Sequence, residues 1–158
     1  MAYFLTFTTY GTHLPGDSRG SLDRNAGRLE DRPALVTYSK NVMPETAFRL
    51  SGAEDRKIVL DAILAVCRYR QWRLIALHVR TEHVHGLVQA EGVTARPVMG
   101  DWKSYATRGL RQRWPERRQF WTRVGDCRRV IDRGFDDTVH YVLEEQGEPL
   151  ATYLVPPR

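Results

Sequence analysis

Arg73 to Ala90 reads RLIALHVR-TE-HVHGLVQA. It holds two apolar, β-branched-rich runs of eight residues, Arg73–Arg80 and His83–Ala90, with only Thr81-Glu82 between them. Two such runs joined by a tight turn predict an antiparallel hairpin. Within the second run, His83 and His85 are two positions apart. Side chains of a strand alternate between faces, so both imidazoles lie on one side of a rigid surface. A pair of neighbouring imidazoles can chelate a divalent cation. Uncharged imidazoles without partners would also be costly in so apolar a segment.

The rest of the chain places this hairpin within a sheet. Tyr3–Tyr10 (YFLTFTTY) alternates large apolar residues with Thr and predicts a first strand. Residues 11–35 are rich in Gly, Pro, Asp and Arg and predict a long loop, extending to about residue 50, of the kind that tends to be functional or mobile. Within it, His13 and Asp17 can be read as turn residues. Ser51 and Glu54 have the spacing of a capping box. The helix they open, running to about Arg70, carries Val59, Ile63, Val66 and Cys67 on one stripe. A second helix is predicted from about Pro97 to Arg113, then a strand around Cys127–Ile131. A third helix begins at an Asp136 or Asp137 cap and ends at Gln146, before Gly147. The tail, Val155–Arg158, is expected to be loosely held. The order β-α-β-β-α-β predicts an α+β fold: a ferredoxin-like antiparallel sheet with helices on one face and an added C-terminal helix. One domain accounts for residues 1–158.

Bulk composition narrows the function. The chain carries 24 Lys and Arg against 19 Asp and Glu, a net charge of +5 and a pI near 9.5. Such a balance suits an anionic partner. Cys67 and Cys127 have no metal-type spacing and form no disulfide framework, as expected in a reducing cytoplasm. Neither a signal peptide nor a membrane-length apolar run is recognisable, and no phosphate-binding glycine loop is present.

Two helices carry further candidates. Between Arg96 and Arg118 there are seven Lys or Arg, among them Lys103, Arg108, Arg111 and Arg113, and two acidic residues. Trp102, Tyr105 and Trp114 are interleaved. Basic side chains neutralise phosphates and aromatic rings stack on unpaired bases, although Trp102 and Ala106 also fit a core stripe. In the third helix, Val139, Val142 and Leu143 share one side. Tyr141 points away from them, with Asp137 and Glu145 one turn on either side. A tyrosine beside a metal can serve as a nucleophile.

Taken in order, His83-Val84-His85, the helix around Trp102-Lys103-Ser104-Tyr105-Ala106, Phe120-Trp121 and Tyr141-Val142 ending in Glu145-Gln146 resemble the single-tyrosine HUH transposases. These include insertion-sequence transposases and the REP-associated tyrosine transposases. The opening Tyr3–Thr8 is similar to that family's first strand. The resemblance implies that His83 and His85 hold Mg²⁺ or Mn²⁺. It implies that Tyr141 attacks a DNA phosphate to give a 5′-phosphotyrosine link and a free 3′-OH. The family's third ligand is a Gln one turn after the tyrosine. Here Glu145 stands at that place and Gln146 one residue further, so either can be the ligand; helical geometry puts Glu145 on Tyr141's face. The implied partner is single-stranded, hairpin-bearing DNA, acted on by a monomer or homodimer in the cytoplasm, at the nucleoid. The competing reading is a non-catalytic ferredoxin-like nucleic-acid-binding protein with a structural His pair; a metallohydrolase lacks a second carboxylate cluster.

Overall fold

The computed structural model describes residues 1–14, 17–19, 21–23 and 27–157. Positions 15, 16, 20, 24–26 and 158, parts of the expected loop and tail, lie outside the described residues. Five antiparallel strands form the sheet: β1 (Ala2–Thr8), β4 (Arg73–Val79), β5 (His83–Gln89), β6 (Asp126–Val130) and β7 (Ala151–Leu154), in the order β6-β1-β5-β4-β7. Thus the expected α+β class with an antiparallel sheet is what forms. The hairpin of β4 and β5 lies in its middle, with Val79 opposite Val84 and His78 opposite His85.

Both faces of this sheet are covered, which is why the central strands read as nearly continuous apolar runs. On one face, α2 (Ala53–Tyr69) and α3 (Ala95–Arg113) press Val59, Ile63, Val66, Trp102, Ala106 and Leu110 onto Leu5, Phe7, Leu77, Val84 and Val88. On the other, α4 (Phe135–Glu144) sets Val139 and Val142 against Phe4 and Ala76, and Phe135 against Ala2, Ile75 and Leu87. The expected arrangement of helices on one face is therefore completed by α4 on the opposite one. Burying side chains on both sides removes about 25 cal/mol of unfavourable hydration for each Å² of apolar surface.

Several local expectations are corrected. The long loop contains a short hairpin, β2 (Ser21–Asp23) with β3 (Gly27–Leu29), and a surface helix, α1 (Pro33–Val42), opened by Pro33. Proline suits a helix's first turn because its missing N–H would have no partner there. Ser51 and Glu54 do not form a capping box: Gly52 is the N-cap of α2, without a side-chain bond. Likewise α4 is capped at Gly134, after a 3-10 turn (Asp132–Gly134), which leaves Asp136 and Asp137 in its first turn. There they complement the positive helix end. The expected tail is anchored at its first residue, Val155. Residues 151–154 add the edge strand β7, and the Val155 N–H donates to the Ile75 carbonyl at 2.8 Å. Polar alternation in so short an edge strand (Ala-Thr-Tyr-Leu) carries little signal of its own.

Candidate active site

Register brings the first candidates together. On β5, His83 and His85 lie opposite Thr8 and Thr6 of β1. The two imidazoles stack at 5.6 Å between centroids, 19° from parallel. They face the α4 side, along with Phe4, Thr6 and Thr8, because alternate residues of each strand share a face. His85 is buried and places Nδ1 3.1 Å from the Thr6 hydroxyl. Burial, followed by the charges of neighbouring His83, His78 and Arg80, pushes His85 down to about 3. His83 is lowered for the same leading reason, with His13 and Arg19 adding to the effect. Both rings are neutral at physiological pH and keep a lone pair for a cation.

A cleft of about 490 Å³ opens above them. Its walls include Thr6, Thr8, His13, Arg19, His83, His85, Thr122, Arg128, Tyr141 and Gln146. The structure thus gathers His83, His85, Tyr141 and Gln146, which the chain separates by up to 63 positions. Tyr141 is 42% exposed, with its ring held edge-on against Phe4. Glu145 is not among the cleft-lining residues; its carboxylate lies 3.2 Å from His140 Nδ1. The reason is the end of the helix. α4 stops at Glu144, Glu145 is the C-cap, and Gly147 takes φ +82°. Beyond Glu144 the 100° step per residue no longer holds, and Gln146 turns back so that its Nε2 donates to the Tyr141 carbonyl at 3.5 Å. Among the described residues, no three His, Cys, Asp or Glu side chains converge on one point. A ligand set here would be two imidazoles and an amide.

The loop after β1 supplies Arg19, which sequence reasoning passed over, beside His13 and Asp17, which it read as turn residues. Asp17 is a turn residue as read: it accepts from the Arg19 backbone N–H at 2.9 Å and from the guanidinium at 2.8 and 2.9 Å. That guanidinium holds the Asp17 carboxyl well below the usual carboxylate range. His13, by contrast, reaches the cleft, 6.4 Å from the His83 ring. Arg19 is anchored to the Thr12 carbonyl and approaches Glu82 at 3.6 Å, and Glu82 also receives Arg49 at 2.9 Å. The turn between β4 and β5 thereby ties the loop to the cleft. Arg128 enters from β6 and donates to Asp126 at 2.8 Å. Thr122 closes the floor through a 2.8 Å bond to Thr8. A lone Arg or Thr in a loop carries no periodic signal, whereas Thr6 and Thr8, alternating with Leu5 and Phe7, follow from strand period as His83 and His85 do.

The basic helix fares differently. α3 packs on the sheet face opposite the cleft. Trp102 is fully buried, and is a core residue rather than a base-stacking one. Arg113 pairs with Glu54 at 2.6 Å and with buried Asp55 at 2.9 Å. Lys103 donates to the Thr122 carbonyl at 2.8 Å and lies over the Phe7 ring; burial lowers it to about 8. It props the cleft's Thr122 segment from behind. Arg108, stacked on Tyr105, and Arg111 are exposed.

Among the described residues, no helix is long and apolar enough to cross a membrane. No curated protein matches the chain. Several solved structures share its fold, among them the following two. A REP-associated tyrosine transposase bound to a REP hairpin is 15% identical with a TM-score of 0.53, over 91% of this chain and 65% of that one. A transposase candidate from Deinococcus radiodurans R1 is 14% identical with a TM-score of 0.50, over 90% of this chain and 88% of that one. The chain therefore spans just under two thirds of the first protein's length. The family described as "Transposase IS200 like" matches residues 42–145, which contain His83, His85, Tyr141 and the whole central hairpin, and the chain belongs to that family.

Proposed function

We propose that the protein cleaves and rejoins single-stranded, hairpin-bearing DNA, with Tyr141 as the nucleophile and a divalent cation at His83 and His85. The observation that carries this reading is the meeting of the stacked His pair, Tyr141 and Gln146 in one open cleft. The REP hairpin bound to the structural relative supports the choice of DNA.

The donor set fits a Mg²⁺ or Mn²⁺ ion. Neutral imidazole nitrogens are available on His83 and His85, and the amide Oε1 of Gln146 is left to accept once its Nε2 is used on the Tyr141 carbonyl. Gln146 is accordingly the third ligand favoured over Glu145, whose carboxylate is engaged by His140. When bound, the ion would supply Lewis-acid neutralisation of charge on the scissile phosphate. Phe4 and the backbone of α4 fix the phenol at the cleft. Its oxygen forms a bond to the 5′ phosphorus as the bond to the 3′ oxygen breaks. The phenolic proton leaves to solvent, and the departing oxygen gains one to become the 3′-OH. One phosphodiester is exchanged for another, so rejoining needs no nucleotide triphosphate. Arg19 and Arg128, on the cleft walls, are placed to meet neighbouring phosphates.

The test is a denaturing gel of the protein incubated with hairpin-bearing single-stranded oligonucleotides and Mg²⁺ or Mn²⁺. A covalent adduct is expected, mapping by mass spectrometry to the Tyr141 peptide. No adduct with any such oligonucleotide, or an adduct on another tyrosine, overturns the proposal.

A further inference from the structure

His78 takes no part in the chemistry above, yet it is fully buried and both of its ring nitrogens are engaged. It sits on β4 between His85 of β5 and Thr152 of β7. The Leu150 backbone N–H can only donate, so Nε2, 3.2 Å away, must accept. The proton of the neutral ring is then on Nδ1, which donates to the Val142 carbonyl at 3.1 Å. Val142 is in the last turn of α4, where carbonyls outrun the donors of their own helix. It is itself fully buried, so water does not serve that carbonyl. A single imidazole therefore caps the helix end immediately after Tyr141. It also holds the chain just beyond Gln146 and Gly147, where α4 returns to the sheet as β7.

We infer that His78 is a positioning residue: its two hydrogen bonds fix Tyr141 and Gln146 above the His pair of the neighbouring strand. This inference rests on the proposed role of Tyr141. The sheet alone cannot set that relation, because α4 meets it through apolar contacts of Phe135, Val139 and Val142, which have no directional preference. Directed bonds from β4 to this segment come from His78, at Val142 and Leu150, and from Arg80 Nη1, which donates to the Glu148 carbonyl at 3.3 Å; of these, the His78–Val142 bond is the one that reaches α4 itself. Asn places a donor where Nδ1 is and so keeps the arm to Val142. Gln places an acceptor near Nε2 and so keeps the arm to Leu150. Leu keeps the bulk and loses both.

The experiment compares wild type, His78→Leu, His78→Asn and His78→Gln. It reads the single-turnover rate of adduct formation, the affinity for the same hairpin oligonucleotide, and amide hydrogen exchange over residues 142–152. For His78→Leu the adduct rate should fall about 10- to 100-fold, the range typical of groups that orient an active residue from outside the reacting atoms. DNA affinity should stay within about threefold, because phosphate contacts dominate it. Exchange at Leu150 should rise in His78→Leu, and His78→Asn should recover part of the rate. If His78→Leu does not fold, His78→Asn and His78→Gln, each keeping one arm, carry the same comparison. A wild-type rate in His78→Leu, an equal loss of rate and DNA affinity, no gain from Asn, or unchanged exchange at Leu150 overturns the inference. Wild type that forms no adduct refutes the functional reading instead, and the exchange comparison then judges the two hydrogen bonds by themselves.

Discussion

Phe4 meets the ring of Tyr141 edge-on, 5.8 Å between centroids and 81° between planes. The same phenyl ring lies parallel to His85 at 6.3 Å. One side chain of β1 thus touches both halves of the candidate active site. Tyr141→Phe keeps this edge contact and removes only the hydroxyl. Unfolding free energy should change by less than about 0.5 kcal/mol, as for other exposed positions. Adduct formation should disappear while oligonucleotide affinity persists. Chemical denaturation and a denaturing gel on the same preparation check both halves. Residual adduct in Tyr141→Phe would remove the tyrosine from the mechanism.

Gly86, between the two faces' worth of buried residues in β5, has no room for a side chain. A Cβ there would stand 2.7 Å from Trp102 Cη2 and 3.1 Å from Leu77 Cδ1. Gly86→Ala should therefore cost about 1–3 kcal/mol, the range for overpacking a filled core. Trp102→Phe in the same chain should recover part of that loss. Thermal melts of the single and double variants measure the coupling, and simple additivity would show that the Trp102 indole is not what confines Gly86.

Charge at the cleft and charge on α3 should separate in salt titrations. Arg128→Ala should lower the log–log salt slope for single-stranded DNA by about 0.7, the contribution of one phosphate. Arg113→Ala should leave the slope unchanged. It should instead destabilise the protein by about 1–3 kcal/mol, because buried Asp55 loses its guanidinium partner and, among the described residues, keeps the Trp114 Nε1 donor at 3.1 Å. An altered slope in Arg113→Ala would return α3 to the DNA-contacting surface.

The metal-free protein should lose stability as pH falls below about 6.5. His85, held down to about 3, stays neutral in the fold across this range, and burial lowers His83 and His78 in the same direction. The unfolded chain protonates the same rings near the ordinary value of 6.5. Between those limits the unfolded state binds more protons, so stability rises with pH and is lost on acidification. His13, Arg19 and Arg80 face the rings and reinforce the effect, and Glu82 opposes it. His85→Asn should flatten the fall in melting temperature between about pH 6 and 4. A slope as steep as wild type would assign the acid sensitivity to other groups.

The chain alone determined the elements whose information is periodic and local. Alternation in Tyr3–Tyr10 and the two apolar runs around Thr81-Glu82 dictate strands and a hairpin, and a spacing of two puts His83 and His85 on one face. The stripe of Val59, Ile63 and Val66 likewise dictates an amphipathic helix. These readings need only the geometry of a strand or a helical turn. Placement of α4 on the opposite sheet face, the burial of Trp102, the return of Gln146 and the entry of His13, Arg19 and Arg128 were decided by tertiary structure. Each depends on how separate elements fill one volume. Trp102 became core because Gly86 leaves a hollow for its ring. Gln146 reached the cleft because α4 ends at Glu144, with His78 of another strand bonded to its last turn. Helical period cannot be extended past a helix end that a distant side chain helps to fix.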